Sequence, residues 1–358
     1  MFMLRLRRLL TLSPFAIAGV LLVLDPAIAR LLLPFREMMI CLLSAQVVIA
    51  TAAMWRAHRR GGGCASQAAV CTLSVVCFGI VFTREYPVRE RTVAFTSNGA
   101  RLVGTLYQGK TEGEHAAIVV VHGSGKFPRR LYRYWAQKFA SLGFDVMVYD
   151  KRGVGDSGGA YEGENNTSSK NLRVLAEDAS NAVNFVASLP GVTRHIGLFG
   201  VSQGGWVAPL AAQMNPRVKF LVLHSGPVVS VRQQNLYERL TGAAHSSSTA
   251  PLAEAEDRIR SSPPAGFDPR TVLASLDVTS LWLFGTADMN VPVQTSIGNL
   301  EQLIGSGKAF EYRVFPGADH LILTRDTRFS GLSDDYWTSV VDWMKRHEGR
   351  RLDARSIH

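Results

Sequence analysis

Three residues of this chain have the types and the order that nucleophilic acyl chemistry needs: Ser202 in GVSQGG, Asp288 in LFGTADMNVP and His320 in FPGADHLIL. A serine hydroxyl is a weak nucleophile. It needs a base to take its proton, and the base needs a carboxylate to orient it and stabilise its charged form. The segment Gly200–Gly205 follows HIGLF, which reads as a short buried strand, and precedes WVAPLAAQM, which reads as the start of a helix. A serine at such a junction can be an ordinary helix N-cap. It can also be a nucleophile held on a sharp bend in the pattern G-x-S-x-G. The glycines separate the two readings. A plain cap requires neither Gly200 nor Gly204, whereas a bend tight enough to strain the serine backbone leaves no room for side chains two residues away on either side. The bend also exposes the hydroxyl at a helix N-terminus, where the dipole favours developing negative charge. Ser202 is therefore the expected nucleophile.

On a strand–serine–helix elbow the chain order is serine, acid, histidine. Asp288 lies just past SLWLF and His320 just past FEYRVF, so both share with Ser202 the C-terminal edge of their strands, where open α/β sheets place their active sites. His224 in LVLHSG also ends a strand, and so does His122 in VVHGSG, whose ring is expected to serve the loop's own hydrogen bonding. His195 opens a strand at the opposite edge. Asp319 adjoins His320 and is too close in sequence to make the required approach. Asp150 and Asp156 flank KRGVG ahead of the nucleophile, the wrong order. His320 is thus the expected base and Asp288 its orienting acid.

Attack on an acyl carbon creates an oxyanion, which needs hydrogen-bond donors. The expected donors are the backbone N–H of Gln203, next after the nucleophile, and that of Ser124 in HGSG. The glycines flanking Ser124 let a substrate approach the backbone closely. A plain glycine-rich turn is the other reading of HGSG. HGSG continues into Lys126-Phe127 and does not complete G-x-x-x-x-G-K-[ST], so a phosphate loop is a poor reading of it. No H-E-x-x-H occurs, and the four cysteines, Cys41, Cys64, Cys71 and Cys77, all precede residue 84. No metal is expected.

The elements that must position these residues begin near residue 91. RTVAFTS and RLVGTLYQG read as a hairpin across NGA, and AAIVVVHG, DVMVYD, HIGLFG, KFLVLHSG, SLWLFG and FEYRVF as strands. Between them RRLYRYWAQKFASLG, KNLRVLAEDASNAVNFVASLP and GWVAPLAAQM read as helices, with DYWTSVVDWMKRH as the last. Apolar strands alternating with amphipathic helices predict a mostly parallel sheet covered on both faces. A polar stretch at about 227–277, with LYERL and AEAEDRIR as short helices, is expected to form a small cap.

Residues 1–84 read differently. Apolar runs at Leu9–Leu24, Met38–Trp55 and Ala68–Phe82 predict a membrane region of about three transmembrane helices. The first run can instead be a signal peptide, with Ala27–Ala29 at its cleavage site. The net charge of +10 sits mainly here: residues 1–83 hold eight Arg against Asp25 and Glu37, a net of +6. No basic stripe with interleaved aromatics occurs, so nucleic acid is not an expected partner. The clusters Arg5–Arg8 and Arg56–Arg60 both favour the cytoplasmic face. Either reading of the first run then carries residues 85–358 out of the cytoplasm, leaving an integral membrane protein of, we expect, a bacterial inner membrane.

The motifs HGSG, YDKRGVGDSGG, GVSQGGWVAP, LFGTADMNVP and PGADH, in this order over about residues 91–348, make the chain resemble the α/β-hydrolase superfamily. It is most similar to bacterial serine esterases related to the dienelactone-hydrolase and serine-aminopeptidase branches. The resemblance implies an α/β-hydrolase fold, a Ser–His–Asp triad, no cofactor and hydrolysis of an acyl bond in a small acyl substrate, a carboxylic ester first among them. Aminopeptidase, thioesterase and acyltransferase activities use the same parts. A catalytically silent binding module is the alternative of a different kind.

Overall fold

Asn98 and Gly99 decide how the sheet starts. Both adopt positive φ, 45° and 77°, the two-residue turn whose twist matches that of paired strands. It joins β1 (Arg89–Ser97) to β2 (Ala100–Gln108) in antiparallel register, with Ser97 opposite Ala100. The computed structural model describes residues 88–348 except 109–114, 164–165, 245, 248 and 328–330. Six further strands follow: β3 (His115–Val121), β4 (Asp145–Tyr149), β5 (Val192–Val201), β6 (Val218–His224), β7 (Thr279–Gly285) and β8 (Phe310–Phe315). They form one sheet in the order β1-β2-β4-β3-β5-β6-β7-β8. Strand β2 runs antiparallel to β4, and from β4 to β8 every pairing is parallel.

Parallel strands need crossovers, and these cover both faces. The helices are α1 (Arg133–Ser141), α2 (Ser169–Ala187), α3 (Gly204–Met214), α4 (Val231–Thr241), α5 (Leu252–Arg260), α6 (Pro269–Ser275), α7 (Val293–Gly305) and α8 (Asp334–Glu348). Side chains of β3 alternate between two core layers. Ala117, Val119 and Val121 pack with residues of α2 and α3, while Ala116, Ile118 and Val120 pack with residues of α1 and α8. This two-sided burial is why AAIVVV is apolar throughout rather than alternating. The result is the α/β-hydrolase fold that the motifs imply.

Helices α4, α5 and α6 form the insert between β6 and β7. Ser230 and Gln233 make a capping box at the start of α4, and Asp268 caps α6, which is absent from the sequence reading. Helix α7 is a second element the sequence reading lacks. Its N-terminus is satisfied from the insert. The Glu256 carboxylate of α5 accepts from the backbone of Gln294 at 2.9 Å, from that of Thr295 at 3.0 Å and from the Thr295 hydroxyl. Among the described residues no helix is long and apolar enough to cross a membrane. The three apolar runs expected to do so lie outside the described residues.

Candidate active site

Ser202 sits between the end of β5 and the start of α3 with φ 52°, a left-handed conformation that costs a non-glycine residue about 1–3 kcal/mol. Its neighbours hold it there: its N–H donates to the His224 carbonyl at 2.9 Å, and its carbonyl accepts from Gly205 N–H at 2.7 Å. A Cβ on Gly200 would stand 2.7 Å from the Gly204 carbonyl oxygen, and one on Gly204 would stand 2.7 Å from the Val121 carbonyl oxygen. Glycine is required on both sides of the serine, as the elbow reading expects and a plain cap does not.

Two strands further along the sheet, Asp288 follows β7, and His320 follows β8 at the edge. His320 Nδ1 meets Asp288 Oδ2 at 2.8 Å. The acid is held by its other oxygen, which accepts from Asn290 N–H at 2.7 Å and Val291 N–H at 2.9 Å. Its side chain is fully buried while that of His320 is 22% exposed, so the ring faces the open side. Burial opposes the imidazolium, but the Asp288 charge and hydrogen bond outweigh it and hold the His320 pKa above its ordinary value. Asp319 carries the turn instead: its Oδ1 accepts from Leu321 N–H at 2.9 Å and Leu323 N–H at 3.1 Å. No hydrogen bond joins Ser202 to His320 among those of the described residues. Such contacts are commonly long before substrate binds.

The rival residues have other work. His224 is fully buried, with Nδ1 3.0 Å from the Tyr336 hydroxyl. Burial first, then the nearby His320 charge, pushes its pKa down to about 3, so it stays neutral. The His122 ring stacks on Tyr132 with centroids 3.9 Å apart, so packing rather than loop hydrogen bonding is its main anchor. His195 lies toward the start of β5, against Phe220. The Asp150 carboxylate is tied to Arg129, through backbone N–H at 2.6 Å and the guanidinium, and accepts from Asp156 N–H at 3.0 Å. Asp156 pairs with the same arginine at 2.9 Å. Both acids lock the loop after β3 to the loop after β4.

The segment HGSG lies against the nucleophile: a Cβ on Gly123 would stand 3.4 Å from Ser202 Cβ. Gly123 N–H is taken by the Tyr132 hydroxyl at 2.8 Å. The N–H groups of Ser124 and Gln203 donate to no acceptor among the described residues. Lys151, Tyr132 and Glu238 are neighbours of the site that the sequence reading did not single out. The insert brings Glu238 near enough to His320 for their charges to interact, and burial raises the Glu238 pKa. Among the described residues, no three His, Cys, Asp or Glu side chains converge as metal ligands.

A thiohydrolase of Arthrinium phaeospermum is 34% identical over 134 residues, 37% of this chain and 41% of its own length. A polyketide transferase of Penicillium crustosum is 29% identical over 181 residues, 50% of this chain and 56% of its own length. The match to each curated relative thus spans less than two thirds of that relative. Among solved structures, a Pyrococcus furiosus esterase superposes with TM-score 0.55 at 18% identity, covering 74% of this chain and 92% of that one. A Klebsiella pneumoniae protein assigned as a dienelactone hydrolase superposes with TM-score 0.53 at 18% identity, covering 74% and 99%. At these identities the superpositions speak for the fold. Residues 131–349, more than half of the chain and the stretch that carries Ser202, Asp288 and His320, match the prolyl oligopeptidase family of serine-type hydrolases, and the chain belongs to it.

Proposed function

We propose that this protein hydrolyses an acyl bond, in the first place a carboxylic ester, through a Ser202–His320–Asp288 triad. The observation that carries the reading is the 2.8 Å contact between His320 and Asp288 at the sheet edge where Ser202 stands on its strained bend. Ser202 Oγ attacks the acyl carbon while His320 Nε2 takes its proton. Asp288 holds the ring by Nδ1 and stabilises the imidazolium. The N–H groups of Gln203 and Ser124 receive the oxyanion. His320 then protonates the leaving group, the acyl-enzyme forms, and water attacks it with His320 again as base. Phe127, Leu131, Met289 and Leu321, each about half exposed, stand on the loops that carry Ser124, Asp288 and His320, which favours an apolar acyl group.

A thioester substrate is the second reading, favoured by the thiohydrolase relative. Purified protein should be assayed with matched acyl esters of 4-nitrophenol, matched acyl thioesters and aminoacyl 4-nitroanilides. The proposal expects kcat/KM on the ester to exceed that on the anilide by at least about 100-fold. A preference for the thioester would install the second reading, and an anilide preference would overturn both.

The apolar runs and arginine clusters of residues 1–84 support a further part of the proposal: the domain is anchored to a membrane and lies outside the cytoplasm. Alkaline phosphatase fused after His358 should then be active and green fluorescent protein at the same point dark. The reverse pair of results would place the domain in the cytoplasm.

A further inference from the structure

Beneath the HGSG segment lies a buried amine with no counter-charge. Lys151 directly follows β4, is 4% exposed, and forms no ion pair among the described residues. Its Nζ donates to the Gly123 carbonyl oxygen, to that of Gly125 at 3.2 Å and to Gln203 Oε1 at 3.4 Å. It stands 5.1 Å from the centre of the Tyr161 ring. An ammonium group has three N–H donors, and here they meet three acceptors. Burying a charge costs several kcal/mol, and burial pushes this amine's pKa down to about 7. Methionine would fill the same volume without that cost.

All three acceptors belong to the two segments that carry the N–H groups assigned to the oxyanion. The peptide unit is planar and trans, so its C=O and N–H point in opposite directions. Fixing the Gly123 carbonyl therefore fixes the direction of Ser124 N–H. When protonated, the amine also polarises that amide and makes its N–H a stronger donor. Through Gln203 Oε1 the same ammonium ties this loop to the first residue beyond the nucleophile.

We propose that Lys151 is a positioning residue of the oxyanion hole, clamping the Gly123–Ser124 peptide and Gln203 so that their two N–H groups converge on one developing negative charge. This rests on the Ser202 mechanism proposed above. A substituted loop would still bind the ground-state ester but would meet the transition state in worse geometry. Loss of a whole oxyanion donor costs about 10²–10³ in kcat, so misplacing one should cost roughly 10–100-fold.

Lys151→Met tests this with 4-nitrophenyl acetate as substrate and a trifluoromethyl ketone as inhibitor, because the ketone's serine adduct carries a full oxyanion. In the folded variant kcat should fall about 10–100-fold with KM within about 3-fold of wild type, and ketone affinity should fall in parallel. If Lys151→Met does not fold, Lys151→Gln, neutral but still a donor, carries the same comparison and should show a smaller loss in the same direction. A purely structural lysine would lower Tm while leaving kcat and ketone affinity of the folded protein within about 2-fold, and that result overturns the proposal. Wild type labelled on Ser202 by a fluorophosphonate shows that such a failure belongs to Lys151 alone. An unlabelled, inactive wild type would overturn the triad and the clamp together.

Discussion

Ser202→Ala should leave a folded protein whose turnover is about 10⁴–10⁶-fold below wild type. Folding should survive because what holds the bend is backbone: the N–H to His224 and the carbonyl from Gly205. Alanine meets the same penalty at φ 52° that serine already bears. Turnover should not survive, because the hydroxyl that attacks the acyl carbon is gone. What remains should be the contribution of binding and of the oxyanion donors, which do not depend on the hydroxyl. Initial rates with 4-nitrophenyl acetate beside a thermal melt would separate the two effects. A variant that melts like wild type and turns over within about tenfold of it would contradict the mechanism.

Replacing His320 with alanine should be nearly as damaging as losing Ser202, since the serine then has no base. His224→Ala should behave differently: it removes a buried ring and its contact with the Tyr336 hydroxyl, so Tm should fall while kcat stays within about tenfold. A dead His224→Ala beside an active His320→Ala would reverse the assignment. The pH profile adds a second check. Only the neutral ring can accept the serine proton, so kcat/KM should rise with pH through the His320 pKa. Because the Asp288 charge outweighs burial, that midpoint should lie above the ordinary histidine value of 6.5. In Asp288→Asn the raising charge is gone. The residual activity, expected about 10⁴-fold lower, should rise with a midpoint at lower pH. An unmoved midpoint would mean that another group titrates.

Most of the site was legible because each functional residue sits where a strand ends, and strand ends are marked by a switch from continuous apolar residues to glycine and polar ones. VVVHGSG, LFGVSQGG, WLFGTAD and FPGADH all show that switch. The hairpin was legible from its Asn-Gly turn for the same local reason. Helix α7 was not, because little in VQTSIGNLEQLIG marks it as a helix. Gly298 lies inside it, and its start depends on Glu256 donated by the insert, about 40 residues earlier in the chain. Lys151 was hidden too. A lysine directly after a buried strand reads as the first solvated residue, and only the fold turns it inward beneath HGSG. The pairing of Arg129 with Asp150 and Asp156 likewise joins loops that touch only once β3 and β4 lie side by side.

Trypsin should release Ser202 in the single peptide His195–Arg217, which contains no other serine, no threonine and no tyrosine. Treating the folded protein with a fluorophosphonate and mapping the adduct by mass spectrometry therefore reads the nucleophile directly. One phosphonyl group per chain is expected, on that peptide, absent from Ser202→Ala and nearly absent from His320→Ala. An active protein that carries the label on another peptide, or carries none, would contradict the Ser202 mechanism.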